Sequence, residues 1–311
     1  MKRLYSLLAS IGFVCFFMAS ALAQPTQITN TNSTIGLPAG VNSFILMSNI
    51  YSSSGDGILI GSSGSSATNV TLDLNGFGVY NTTHCTPAAQ GNSCTGSGSR
   101  AGIRIYGSFV TIKNGQVYGW NGDGIHVVQN STSGYGITLQ NLQVHDNNAN
   151  GIVVGDAYPL ATQVVMDNVV ADFNGAGGIL AGYAVGTRIS AFGNNQSGVN
   201  ILSGTLDQAL ARNNVATGVW NNGGSISNSV GVGNGAAGIG ITGTVVNSYA
   251  AGNLWGFAGA ALISNSDSEV NSSYGFNMSI DSCYTFVRTE ANGSTIYGAS
   301  PLNGTTPACL H

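Results

Sequence analysis

From Gly102 to Phe276 the chain repeats one unit, a glycine followed by an apolar residue that opens a short apolar/polar alternation. The pairs are Gly102-Ile103, Gly124-Ile125, Gly151-Ile152, Gly178-Ile179, Gly198-Val199, Gly218-Val219, Gly238-Ile239, Gly256-Phe257 and Gly275-Phe276. Subtracting successive glycine numbers gives spacings of 22, 27, 27, 20, 20, 20, 18 and 19. A repeat of that size is the signature of a solenoid. Counting from each glycine, position +1 is apolar throughout, so it faces a core. Position +2 is mixed (Arg104, His126, Val153, Leu180, Asn200, Trp220, Gly240, Ala258, Asn277), so it faces out, because strand side chains alternate. Two upstream rows also point inward. Position −12 carries Ile112, Leu139, Met166, Gly186, Leu206, Ile226 and Ile263, and position −7 carries Val117, Val144, Ala171, Ala191, Ala211 and Gly231.

Asparagine fills two further rows. Position −10 reads Asn114, Asn141, Asn168, Arg188, Gln208, Asn228 and Asn265; position −4 reads Asn147, Asn174, Asn194, Asn214, Asn234 and Asn271. One gap in the 18-residue coil admits Asn247 and Asn253 to the two rows. Asparagine tolerates left-handed backbone, which suits tight corners, and stacked amides hydrogen-bond along a ladder. The pattern predicts an all-β, single-stranded right-handed parallel β-helix of about ten coils, counting one at Gly57-Ile58, with N- and C-terminal caps. At a strand spacing of about 4.8 Å the coils form a rod of roughly 45–50 Å. A left-handed hexapeptide helix requires a strict six-residue period, which coils of 20 and 27 do not keep.

The ends change the picture. Residues 1–23 read as a secretory signal peptide: Met1-Lys2-Arg3 is basic, Leu4 to Leu22 is largely apolar, and Ala21-Leu22-Ala23 is a small-x-small cleavage site. No later stretch is apolar for the ~20 residues of a membrane span. Residues 24–52 are expected to form the N-terminal cap, 53–282 the helix, and 283–311 the C-terminal cap. Residues 81–99, rich in Gly, Ser, Thr and Pro, form a projecting loop. Four cysteines remain after cleavage, and an even number in a secreted chain predicts disulfides. Of three connectivities, Cys85–Cys94 and Cys283–Cys309 are favoured, because the others tie opposite ends of a rod. Zinc is disfavoured for want of a Cys-x-x-Cys pair or clustered His. Removing Lys2 and Arg3 from the 8 Lys+Arg leaves 6 against 12 acids, a formal charge of −6, so no basic face for nucleic acid is expected. Charged residues make up 6% of the chain, against ~25% for a typical domain. The ordered apolar rows nevertheless exclude a disordered linker.

The Asn69–Phe77 block (Asn-Val-Thr-Leu-Asp-Leu-Asn-Gly-Phe), the Val110-Thr111-Ile112-Lys113-Asn114-Gly115 block, the Asn-rich corners and the Gly-Ile anchors resemble the right-handed β-helix proteins of the pectate-lyase-like superfamily, and within it secreted bacterial members of unassigned activity. The resemblance spans residues 44 to 280. It implies the fold and leaves the chemistry open, since lyases, hydrolases, tailspikes and non-catalytic surface proteins share it. Lyases of that group hold calcium with stacked carboxylates. Position −11 here runs Lys113, Gln140, Asp167, Thr187, Asp207, with no acids on adjacent coils, so calcium is unsupported and no cofactor is expected. Polygalacturonase-like members carry Asn-Thr-Asp, Asp-Asp, Gly-His-Gly and Arg-Ile-Lys. This chain offers only Asn121-Gly122-Asp123-Gly124 and Arg188-Ile189-Ser190.

One row remains as candidate chemistry. Position −6 runs Tyr118, His145, Asp172, Phe192, Arg212, which stacks His145 against Asp172 as a base with an orienting carboxylate. Asp146, Asp156 and the outward His126 belong with it if that face forms a groove, and Asp123 is the other candidate. The bland alternatives are a surface ion pair that sets register and, for Asp123, a corner residue. The intact coil rows and missing motifs favour a secreted, extracellular or periplasmic, non-catalytic protein with a structural or glycan-contacting role at a polysaccharide or cell surface. The alternative is a polysaccharide lyase or glycoside hydrolase.

Overall fold

The computed structural model describes residues 24–297 apart from 30–31, 39–40, 64, 87–91, 97, 129–135, 156–162, 260–261, 279–282, 286–287 and 291–293. Residues 1–23, expected to be a signal peptide, lie outside the described residues with Asp156 and Cys309, as does the side chain of Cys283. Strands that run parallel from coil to coil form three ladders. The Gly-pair ladder joins Ile35, Ile58, Ile103, Ile125, Ile152, Ile179, Val199, Val219, Ile239, Phe257, Phe276 and Ile296. The upstream ladder joins Phe44, Leu72, Ile112, Leu139, Met166, Gly186, Leu206, Ile226, Val245 and Ile263. The middle ladder joins Ile50, Val79, Val117, Val144, Ala171, Ala191, Ala211, Gly231, Ala250 and Ser268. The fold is an all-β right-handed parallel β-helix, with no helical residue among those described. Thr26–Ile28 pairs with Ser43–Leu46, and Ile35–Leu37 with Ile58–Ile60, so the first described residues already contribute strands to the ladders.

The inward rows are those expected from the repeat. Ile103, Ile125, Ile152, Ile179, Val199 and Val219 are fully buried, as are Val117, Val144, Ala171 and Ala191. Small residues at position −7 let three sheets approach around a narrow interior. At about 25 cal/mol per Å² of apolar area, continuous rows of this kind are the main driving force of a solenoid.

The two asparagine rows turn out to do different jobs. Position −10 is a backbone corner. Asn114, Asn141, Asn168, Asn228, Asn247 and Asn265 all have φ between 47° and 60°, and so do Arg188 and Gln208 at the same position. Position −4 is an amide ladder, fully inside the protein. Each Asn Oδ1 accepts the backbone N–H and the Nδ2–H of its equivalent one coil earlier: Asn147 to Asn174 (3.2 and 3.0 Å), Asn174 to Asn194 (3.0 and 2.9 Å), Asn194 to Asn214 (3.0 and 2.9 Å), and on through Asn234 and Asn253 to Asn271. Nδ2 also donates to a middle-ladder carbonyl, as Asn194 does to Ala171 (2.9 Å). The left-handed residue of this second corner is its predecessor at −5: Asp146, Phe173 and Asn213, with Gly119, Gly193 and Gly233 elsewhere in the row. The anchor glycines follow from the ladder. A Cβ on Gly178 would stand 2.4 Å from the Gly198 carbonyl and 2.8 Å from Asn194 Nδ2, so any side chain there displaces backbone.

Asn174→Ala is expected to cost about 3 kcal/mol, since it strands two donors of Asn147 and the Val144 carbonyl inside the protein. Asn141→Ala, at an exposed corner with φ of 51°, should cost only about 1–2 kcal/mol. Urea midpoints of the two variants test this, and equal losses would mean the buried ladder carries no special weight.

Candidate functional site

The outward face of the middle ladder carries the candidate chemistry. Its register is the one expected, with Tyr118 beside His145, His145 beside Asp172, Asp172 beside Phe192 and Phe192 beside Arg212. The row also extends to the N-terminal side, where Tyr80 pairs with Tyr118 and Tyr51 with Tyr80. Tyr80, Tyr118 and His145 stack on one another, and Tyr51 is tilted by 44° against Tyr80. The Tyr80–Tyr118 centroids are 5.4 Å apart at 13°, and Tyr118–His145 are 4.9 Å apart at 6°. Stacking covers the ring faces that neighbours turn toward one another. Burial, with Tyr80 alongside, pushes the Tyr118 phenol up from its ordinary value.

His145 is adjacent to Asp172, yet a different carboxylate orients it. His145 Nδ1 lies 2.8 Å from Asp146 Oδ2. Asp146 is the left-handed corner residue (φ 55°), and that backbone turns its side chain toward the preceding imidazole. Asp172 instead accepts the Phe192 backbone N–H at 2.9 Å. Burial pushes the Asp172 carboxyl up to about 6, against the opposing pull of that hydrogen bond and of His145. The expectation that Asp172 orients His145 is therefore corrected in its partner. Residue spacing had placed the neighbours, but a side chain's choice between two carboxylates depends on corner geometry.

His126 and Asp123 form a separate pair on the Gly-pair ladder. His126 Nδ1 sits 2.7 Å from Asp123 Oδ2, and both side chains are 15% exposed. Asp123 Oδ1 accepts the Asn150 N–H (2.9 Å) and Nδ2–H (3.1 Å). Although burial opposes it, these bonds and His126 hold the Asp123 carboxyl below its ordinary value. Next to His126 in register is Arg104, whose guanidinium pairs with Asp56 at 2.8 Å. Sequence spacing missed that pair, because Asp56 belongs to a coil separated from Arg104 by the long insertion. On the same outward row Asn200 Oδ1 is buried with no hydrogen-bond partner among the described residues.

The insertion separates the two pairs. Cys85 and Cys94 are bonded to each other, as expected, and the stapled loop lies along the corner between the middle and Gly-pair ladders. Thr83 hydrogen-bonds Asn121, Cys85 Sγ lies 3.6 Å from the Asn147 carbonyl, and the Asn92 amide donates to the carbonyls of Asn174 (3.3 Å) and Gly193 (2.5 Å). On the other side of the His145 row an open groove of about 300 Å³ is lined by Gly76, Gly115, Gln116, Asn141, Leu142, Gln143, Asn168 and Val170. Gln116, Gln143 and Val170 are register partners and lie two residues before Tyr118, His145 and Asp172, so the two rows share one face. No group of three or more His, Cys, Asp or Glu able to hold a metal occurs among the described residues.

No protein-family model matches the chain, and no curated protein matches its sequence. Solved structures do resemble it. Pectate lyase Pel9A aligns at 18% identity and TM-score 0.46, over 92% of this chain and 73% of that one. An alginate lyase from Paenibacillus sp. str. FPU-7 aligns at 12% and 0.37, over 89% and 93%. The receptor binding domain of the Siphovirus 9NA tailspike aligns at 13% and 0.35, over 89% and 53%. These likenesses concern the course of the chain, and the fold itself rests on the strand ladders.

Replacing Asp172 by Asn tests the electrostatics of the row. A carboxyl raised to about 6 holds its proton longer folded than unfolded, so its contribution to stability falls as pH rises from about 4 to 6 and stays low above. Asp172→Asn keeps an acceptor for the Phe192 N–H and removes the charge. It should raise stability at pH 7.5 by on the order of 1 kcal/mol, discounted for partial exposure, and change little at pH 4. Thermal midpoints at the two pH values measure this, and an equal shift at both would exclude the charge as the cause.

Proposed function

We propose that this chain is a secreted β-helical scaffold that holds an extended glycan along the outward face of its middle ladder without cleaving it. The observation that carries the reading is the row Tyr51, Tyr80, Tyr118, His145, in which Tyr80, Tyr118 and His145 stack at 4.9 to 5.4 Å and Tyr51 lies 5.4 Å from Tyr80, tilted by 44°. Such a row is rigid before any ligand arrives, so little side-chain entropy is lost on binding. It presents phenolic hydroxyls and an imidazole edge at regular intervals beside an open groove lined by amides. A polymer of hydroxylated rings is the kind of ligand that matches a regular line of donors and acceptors. The Cys85–Cys94 disulfide supports an oxidising location. Among the described residues no helix is long and apolar enough to cross a membrane.

The second reading is a polysaccharide-active enzyme, and one observation favours it. Asp172, raised to about 6, stands beside His145 and could exchange a proton near neutrality. Against it, hydrolysis requires two carboxyls flanking the bond, while Asp146 is engaged by His145 and Asp172 by backbone.

Purified protein incubated with pectin, alginate, chitin and bacterial exopolysaccharides, with and without calcium, is expected to bind at least one polymer and release no new reducing ends or unsaturated products. Turnover that disappears in the His145→Ala, Asp172→Ala double variant would establish the enzyme reading in its place.

A further inference from the structure

The groove beside the aromatic row has a chemical bias. Its polar lining consists of amides: Gln116, Gln143, Asn141 and Asn168. All four are exposed. Asn141 and Asn168 are tied into a surface chain, in which Asn168 Nδ2 donates to Asn141 Oδ1 (3.0 Å) and Asn141 Nδ2 to Asn114 Oδ1 (3.1 Å). That chain ends on Asp73, which accepts from Asn114 Nδ2 at 3.1 Å. Gln116 and Gln143 are register neighbours, and their side-chain amides make no hydrogen bond among the described residues. Two amides are thus spaced by one strand step, each with a donor and an acceptor to offer.

The cations near this face are already neutralised. Lys113 lies 3.4 Å from Asp73, and Arg188 lies 2.6 Å from Asp167. Asp172 adds a further acid to the same face. Over the whole chain 12 acids face 8 Lys and Arg. A polymer carrying a carboxylate on each sugar would meet an excess of negative charge beside the groove, where Lys113 and Arg188 are paired; Arg212, the exposed cation of the outward row, stands two coils beyond Asp172, and no metal-binding group of three or more His, Cys, Asp or Glu occurs among the described residues.

We propose that the glycan held in this groove is an uncharged polymer and that Gln116 and Gln143 read its hydroxyl groups, an inference that rests on the glycan-binding reading above. An amide offers one acceptor and two donors, and it pairs with a hydroxyl in either sense. Neutral hydrogen bonds of this kind are insensitive to ionic strength, whereas binding of a polyanion is not.

Affinity electrophoresis in gels containing galactomannan, mixed-linkage β-glucan, polygalacturonate or alginate, each at low and high salt, tests the proposal. The expected result is retardation by an uncharged gel that salt does not change, and none by the two polyuronates. The Gln116→Ala, Gln143→Ala double variant should weaken that binding about tenfold, the loss of one or two neutral hydrogen bonds. Its thermal midpoint should be unchanged, since both side chains are exposed. Retardation by polyuronates alone would overturn the uncharged class and leave the glycan-binding reading standing. Uncharged binding that the double variant leaves intact would remove the two glutamines as the readers. Migration unaffected by all four polymers would overturn both.

Discussion

A buried amide that finds its partner one coil away is the interaction on which this structure depends. The side chain of Asn194 takes two hydrogen bonds from Asn174, gives one to Asn214 and another to the Ala171 carbonyl. Its backbone N–H also goes to Asn214. Nothing polar is left unpaired in a place where an unpaired group would cost about 1–3 kcal/mol. The arrangement closes only if coils are stacked in register, because a slip by one residue puts an apolar or wrong-handed position opposite the amide. It also dictates the glycine at the start of each Gly-pair strand, whose missing side chain makes room for the amide of the next coil. Hydrophobic rows supply the driving force, and the amide ladder fixes the register.

The ladder ends are informative. Trp120 occupies the asparagine position in the coil before Asn147. Its backbone N–H donates to Asn147 Oδ1 (3.2 Å), and its indole Nε1–H donates to the Val79 carbonyl (3.1 Å), as an asparagine Nδ2 would. A large ring thus takes the place of a small amide while keeping its backbone bond along the ladder and its bond to the middle-ladder carbonyl. Toward the C-terminus, position −9 changes from apolar to Ser229, Ser248 and Ser266, where the backbone N–H of one serine donates to the hydroxyl of the next at 3.2 Å. The interior polarity of the rod therefore shifts along its length without a break in register.

Most of the fold was legible in the sequence because a solenoid writes its structure as rows. Ile103 to Phe276, Asn114 to Asn265 and Asn147 to Asn271 could each be read by counting from a glycine. Counting could not distinguish a backbone corner at Asn141 from an amide ladder at Asn147, since both read as asparagine. It also missed the left-handed row at −5, where Phe173 (φ 53°) gives no residue-type signal. For the site, the neighbours of His145 in the ladder were legible and its hydrogen-bond partner was not. Asp146 and Asp172 are both within reach by spacing, and only the local turn at Asp146 decides between them. The Asp56–Arg104 pair was hidden by the length of chain between them, which the ladder collapses to one strand step.

The stapled loop has a mechanical meaning. Its anchors at Asn121, Asn147, Asn174 and Asn195 sit on successive coils, so it lies lengthwise as a splint across joints that otherwise hold by strand pairing, the apolar rows and the amide ladder. Coils beyond Asn195 carry no such strap among the described residues. Under tension along the rod, separation would begin in the coils after Asn195 and peel toward the splint one coil at a time. The face bearing His145 and Gln143 lies in the strapped half, where it keeps its shape even while the far end frays.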